Sequence, residues 1–218
     1  MVTGVVVDVD DTLYLERDYV RSGFRAVGEW CHAELDVDRV GERAWELFTA
    51  GRRGTTLSDA MTDRGIAVDG RLRDAVVEIY RRHAPDIALA PDARLFLRRV
   101  SATLGRLGVI TDGPAESQRA KCQALGLVDI ADPLLITEEM GTSKPDPEIF
   151  RQVAETWRLP PHELVYVADN PAKDFLAPLA LGWHAVRIRR QESLHHDVPT
   201  PSGVIEVRDL DAIDLFPG

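Results

Sequence analysis

Near its N-terminus the chain runs Val5-Val6-Val7 straight into Asp8-Val9-Asp10-Asp11-Thr12. A short unbroken apolar run of this kind reads as a strand buried on both faces of a parallel sheet. It ends in three carboxylates, Asp8, Asp10 and Asp11. Like charges this close repel, and carboxylates at a buried strand end are costly unless a cation compensates them. A hard cation with oxygen ligands is the simplest compensator. Open α/β sheets place their chemistry beyond the carboxyl ends of their strands, so the segment marks a candidate metal site.

The next eighty residues contain no convincing strand. Apolar positions three and four apart predict helices over 19–35, 39–50, 58–64 (with Ser58 as its cap) and 72–83. From residue 90 the pattern alternates. Helices are expected at 93–102, 115–125, 145–157 and 173–181, with a short final one at 209–216. Strands are expected at 107–110, 133–136, 164–168, 184–188 and 204–207. Alternation argues a parallel sheet with right-handed crossovers. The expected fold is therefore α/β: a Rossmann-like parallel-sheet core, residues 1–13 plus 91–218, with an inserted helical cap domain, residues 14–90.

A net charge of −10 argues against a nucleic-acid polymer as partner, since that needs a basic face. No apolar stretch approaches a membrane span, no secretory leader is evident, and Cys31 and Cys122 lie outside any Cys-x-x-Cys pattern. The expectation is a cytoplasmic protein with reduced thiols. A homodimer stays open. Of 26 basic residues only Lys121, Lys144 and Lys173 are lysines. A chain that uses arginine almost everywhere keeps a lysine where a compact ammonium is needed, although codon bias produces the same scarcity.

Three further segments echo the first. Thr111-Asp112-Gly113 ends a strand; Lys144 lies in Ser143-Lys144-Pro145-Asp146-Pro147; Asp169-Asn170-Pro171-Ala172-Lys173-Asp174 follows another strand. In a parallel sheet these ends share one edge. Taken in this order, the four segments resemble the four motifs of the haloacid dehalogenase-like hydrolases, mainly magnesium-dependent phosphatases, and the resemblance extends to the small helical cap. Ala168 departs from the glycine usual at its position, a change of one methyl.

The resemblance implies roles. Asp8 would be the nucleophile that forms an aspartyl-phosphate, and Asp10 the general acid and base. Mg²⁺ would be held by Asp8, Asp169 and the backbone carbonyl of Asp10, with Asp174 supporting the site. Thr111 would donate to the phosphoryl group and Lys144 would neutralise it. Backbone N–H groups near Asp112 and Gly113 would complete the phosphate cradle, and the Asp112 and Asn170 side chains would support the site without taking part in the chemistry. The substrate would be a small phosphorylated metabolite, selected by the cap. A 2-haloacid dehalogenase or a phosphomutase on the same fold is the alternative. Asp10 disfavours the former, which has no alkoxide to protonate. A non-catalytic binding protein is a weaker one.

Other residues have plainer readings. Asp11 and Thr12 shape a turn. Lys173, Arg52 and Arg53 read as solvated charges, with the two arginines a candidate contact for an anionic substrate. His195 and His196 read as loop rather than ligands. Trp30, Trp45 and Phe48 read as cap core.

Overall fold

The structure, a computed structural model, describes residues 1–214. The chain divides into two compact units: Met1–Glu16 with Ala88–Gly218, and Arg17–Ile87.

The first unit is built on six parallel strands in the order β3-β2-β1-β4-β5-β6: β1 (Gly4–Val7), β2 (Leu107–Thr111), β3 (Leu134–Ile136), β4 (Leu164–Ala168), β5 (His184–Ile188) and β6 (Ile205–Val207). Val5 pairs in register with Leu107 on one side and Val165 on the other. β1, β2 and β4 are buried throughout, which accounts for their uninterrupted apolar runs. The strand order reverses between β1 and β4, and a crevice at that switch point is where such sheets bind ligands. One face packs Ile149, Phe150 and Val153 against Tyr166 and Trp183. The Phe150 ring meets Tyr166 and Trp183 edge-on, at 5.0 and 5.6 Å between centroids. Ala168 is fully buried in the same cluster.

The second unit carries α1 (Glu16–Leu35, whose first residue falls in the first unit), α2 (Val40–Thr49), α3 (Thr56–Asp63) and α4 (Gly70–Arg82) around Phe24, Val27, Cys31, Ala44 and Met61. A Cβ at Gly41 would stand 2.4 Å from the Phe24 carbonyl oxygen, and one at Gly28 2.9 Å from the Gly41 nitrogen. The two helices thus touch backbone to backbone. Gly41→Ala is expected to destabilise the protein by about 1–2 kcal/mol, because the overpacking exceeds the gain in helix propensity. A lowered urea midpoint would show it; an unchanged midpoint contradicts the close crossing.

Several expected boundaries move. The helix expected from Ser58 starts at Thr56, with Thr55 hydroxyl on Asp59 at 2.9 Å, so Ser58 lies inside it and is not its cap. After α5 (Pro91–Thr103) and α6 (Ala115–Ala124), the helix expected from 145 starts at Glu148 (α7, Glu148–Trp157), since Pro147 disfavours helical backbone at Asp146. Asp146, the residue before the Pro147 N-cap, accepts from the Glu148 N–H at 2.9 Å. The helix expected over 173–181 spans only Leu176–Ala180, because 170–174 closes a turn through the Asp174 N–H on the Asn170 carbonyl. At the C-terminus a single 3-10 turn, Leu210–Ala212, stands where the final helix was expected over 209–216; residues 213–214 are not helical, and 215–216 lie outside the described residues.

Candidate active site

β1 delivers Asp8 to the sheet edge, and the ladder continues one residue past the strand through its N–H on the Val167 carbonyl at 2.9 Å. The chain then turns at Asp11, whose φ of 52° lies in the left-handed region that aspartate tolerates better than most residues. Its carboxylate secures that turn, accepting from the Glu16 N–H and the Leu194 N–H, each at 2.9 Å. Thr12 adds a long contact to Asp8 Oδ2, and its carbonyl accepts from Arg190 at 2.7 and 3.0 Å.

Lys144 lies at the centre of the carboxylates. Its Nζ stands 2.7 Å from Asp8 Oδ1, 2.7 Å from Asp174 Oδ1 and 3.0 Å from the Tyr166 hydroxyl. Lysine and both acids are buried. Burial alone would lower the lysine, but Asp174 and Asp8 outweigh it and hold the ammonium well above its ordinary range. Asp174 also accepts from the Asn170 N–H at 2.9 Å, which closes the loop after β4.

One ammonium does not balance the cluster. Carboxylate oxygens of Asp8, Asp169 and Asp174 all lie within 4.8 Å of one another. Two like charges at that separation repel by roughly 3 kcal/mol at a protein-like effective dielectric. Burial, opposed by Lys144 and reinforced by Asp174, raises Asp8 to about 6. Burial together with Asp8 and Asp174 raises Asp169 to about 9. Asp169 Oδ2 is buried without a hydrogen-bond partner. An orphaned carboxyl oxygen among hard oxygen donors, in a site short of positive charge, fits a divalent cation, which would favour the ionised form. Arg187, fully buried on β5, holds the Asp169 carbonyl at 3.0 Å and the loop carbonyls of His195 and Val198 at 2.6 and 2.7 Å.

β2 supplies the opposite side. The Thr111 hydroxyl donates to Gln118 Oε1 at 2.9 Å, so its proton points at a side chain in this state rather than at an open phosphoryl position. Asp112 accepts from the Lys144 N–H at 3.2 Å and from Lys173 Nζ at 2.9 Å. Gly113 has φ 129°, a conformation that favours glycine, and a Cβ there would stand 2.9 Å from Gln118 Nε2 and displace that side chain.

Asp10 turns its carboxylate to α6 (Ala115–Ala124), where Lys121 Nζ lies 2.8 Å from Oδ1 and 2.7 Å from Oδ2. The Tyr14 hydroxyl donates to Oδ1 at 2.5 Å and Gln118 Nε2 to Oδ2 at 2.9 Å. Burial alone would raise Asp10, but Lys121, Tyr14 and Gln118 outweigh it and hold the carboxyl below its ordinary value. Tyr14, Gln118, Lys121, Tyr166 and Arg187 were not singled out for the site from the sequence.

Every lysine of the chain meets an acid here: Lys121 on Asp10, Lys144 on Asp8 and Asp174, Lys173 on Asp112. Lys173 is therefore paired rather than simply solvated. Within the helical unit, Arg52 pairs with Asp59 at 3.1 Å, Arg53 lies over the Phe48 ring, and Trp45 stacks on Phe48. The His196 ring contacts the Arg190 carbonyl at 3.1 Å.

The family model of the haloacid dehalogenase-like hydrolases matches residues 2–182. A glyceraldehyde 3-phosphate phosphatase of Methanocaldococcus jannaschii is 31% identical over 196 residues, covering 86% of this chain and 85% of the relative. A phosphoserine phosphatase of Thermus thermophilus is 31% identical over 175 residues, covering 80% and 69%. Among solved structures, a 2-haloacid dehalogenase from Pseudomonas syringae superposes with a TM-score of 0.64 at 25% identity, covering 97% of this chain and 96% of that one.

Proposed function

We propose that this chain, which belongs to the haloacid dehalogenase-like hydrolases, is a Mg²⁺-dependent phosphomonoesterase acting on a small phosphorylated metabolite through an aspartyl-phosphate on Asp8. The observation that carries the reading is the buried arrangement of Asp8, Asp169 and Asp174 around one ammonium, with a second acid, Asp10, two residues beyond the first. A carboxylate nucleophile alone would serve a dehalogenase as well. A second acid is needed when the leaving group is an alkoxide that must receive a proton.

In the first half-reaction Asp10, which takes up a proton as the negative charge of the substrate arrives, is the acid: an Asp8 oxygen forms a bond to phosphorus, the ester P–O bond breaks, and that proton goes to the departing oxygen. In the second, water adds to phosphorus and gives its proton to Asp10. The Asp8–phosphorus bond breaks with its electron pair returning to the carboxylate, and phosphate leaves. Lys144 offsets the negative charge of Asp8 and of the arriving phosphoryl group. Thr111 would donate to that group after releasing Gln118. Asp8, Asp169 and the Asp10 carbonyl would hold Mg²⁺, which supplies positive charge to let two anions approach.

Both curated relatives named above are phosphatases of small phosphate monoesters by name, which supports the same substrate class here. We assign the helical unit, residues 17–87, the role of a cap that chooses among esters. No described helix is long and apolar enough to cross a membrane. Purified protein is expected to hydrolyse p-nitrophenyl phosphate with Mg²⁺ and to lose that activity in EDTA, regaining it on re-addition of Mg²⁺. A panel of phosphometabolites then ranks substrates by kcat/KM. Halide release from 2-chloropropionate without phosphatase turnover would overturn the reading in favour of a dehalogenase.

A further inference from the structure

The proposed chemistry uses the Asp10 carboxylate but leaves open what aims it. Each carboxylate oxygen offers two in-plane lone-pair directions. On Asp10 all four contacts are filled. Tyr14 and Lys121 share Oδ1, and Gln118 and Lys121 share Oδ2. Gln118 and Lys121 lie three residues apart on one face of α6, and both are buried. Gln118 is itself fixed by the Asp112 carbonyl at 2.8 Å and the Thr111 hydroxyl. The carboxylate is thus held from two elements, with one donor in the loop after β1 and two on the helix after β2.

We propose that Lys121 is a positioning residue that holds Asp10 for the hydrolysis of the aspartyl-phosphate. The inference rests on the roles proposed above for Asp8 and Asp10. A single ammonium spans both Asp10 oxygens, so it can release one while keeping the other. Tyr14 and Gln118, one on each oxygen, then preserve the plane while the released oxygen takes the proton of the attacking water. Without the ammonium, that plane rests on two neutral donors alone. Misplacement of a reacting group by about 1 Å costs on the order of 10²-fold in rate. The compact, three-donor ammonium suits a contact shared between two oxygens, in a chain that otherwise uses arginine.

The test compares wild type with Lys121→Met on p-nitrophenyl phosphate in Mg²⁺, by stopped flow at micromolar enzyme. Nitrophenolate leaves without needing a proton, so the first half-reaction is insulated from Asp10. The expected variant shows a nitrophenolate burst approaching one equivalent per enzyme, then a steady rate lowered about 10²-fold. Its kcat and KM fall together, leaving kcat/KM within about twofold of wild type. Lys121→Arg, which keeps a cation but not the compact ammonium, should recover only part of kcat; if Lys121→Met does not fold, Lys121→Gln serves in its place. An unchanged kcat, or a kcat/KM that falls as far as kcat, overturns the proposal. Absence of turnover in wild type would instead overturn the phosphatase reading on which it rests.

Discussion

Asp8→Asn is expected to lower kcat on any phosphate monoester by at least about 10⁴-fold, because an amide cannot replace the attacking carboxylate. The same substitution should leave the metal-free protein folded and no less stable at pH 7. Asp8 is an acid whose folded value is raised from 3.8 to about 6, mainly by burial. Between those values the folded state binds more protons than the unfolded one. The group therefore subtracts stability as pH climbs through that window, and above about 6 the whole loss is present. Asparagine keeps the shape and removes the charge that the fold opposes, while Lys144 retains Asp174 at 2.7 Å. Steady-state kinetics and thermal melting of one preparation check both halves. Substantial residual turnover, or a collapse of the fold, contradicts this account of Asp8.

Lys144→Met carries the largest expected effect on stability. The ammonium is the buried counterion of two buried carboxylates. Removing one partner of a buried ion pair typically costs about 3–5 kcal/mol, because the remaining charge has neither water nor partner. Lys144 is raised well above its ordinary value of 10.5. Its contribution is thus fully present at neutral pH and would be lost only as pH rises through the raised folded value. The loss in Lys144→Met should therefore be evident at pH 7–8. It should shrink near pH 5, where Asp8, already raised to about 6 by burial, takes up a proton. Mg²⁺ should recover part of it, since a ligand that binds only the folded state stabilises by mass action. Urea midpoints at two pH values, with and without Mg²⁺, report all three. A change within about 1 kcal/mol at pH 8 would show that the lysine does not hold the cluster.

Much of the core was legible because periodicity and burial agree there. The strands 164–168 and 184–188 have the bounds their apolar runs imply, and the parallel order follows from alternation with helices. The meeting of Asp8, Asp169, Asp174 and Lys144 was legible because strand ends of a parallel sheet share an edge. Prolines and side-chain hydrogen bonds moved the helix starts by local contacts that periodicity does not encode, as at Asp146.

Lys121 was harder. A lysine on a polar helix ordinarily points to water, and nothing in its neighbourhood in sequence names a partner 111 residues away. The one usable signal was scarcity: three lysines among 26 basic residues, each of which meets a site acid. Arg187 was hidden for the opposite reason. It occupies a strand whose apolar neighbours set the pattern, and its fully buried guanidinium is satisfied by carbonyls in the loops that follow β4 and β5.

The central claim is that the phosphoryl group passes through Asp8. Enzyme quenched during turnover of p-nitrophenyl phosphate in Mg²⁺ and reduced with borohydride converts an acyl phosphate on aspartate to homoserine. Mass spectrometry of the N-terminal peptide should then find homoserine at position 8 in wild type and none in Asp8→Asn. Homoserine at another aspartate, or none at all from Lys121→Met and wild type while nitrophenolate is released, would contradict the account.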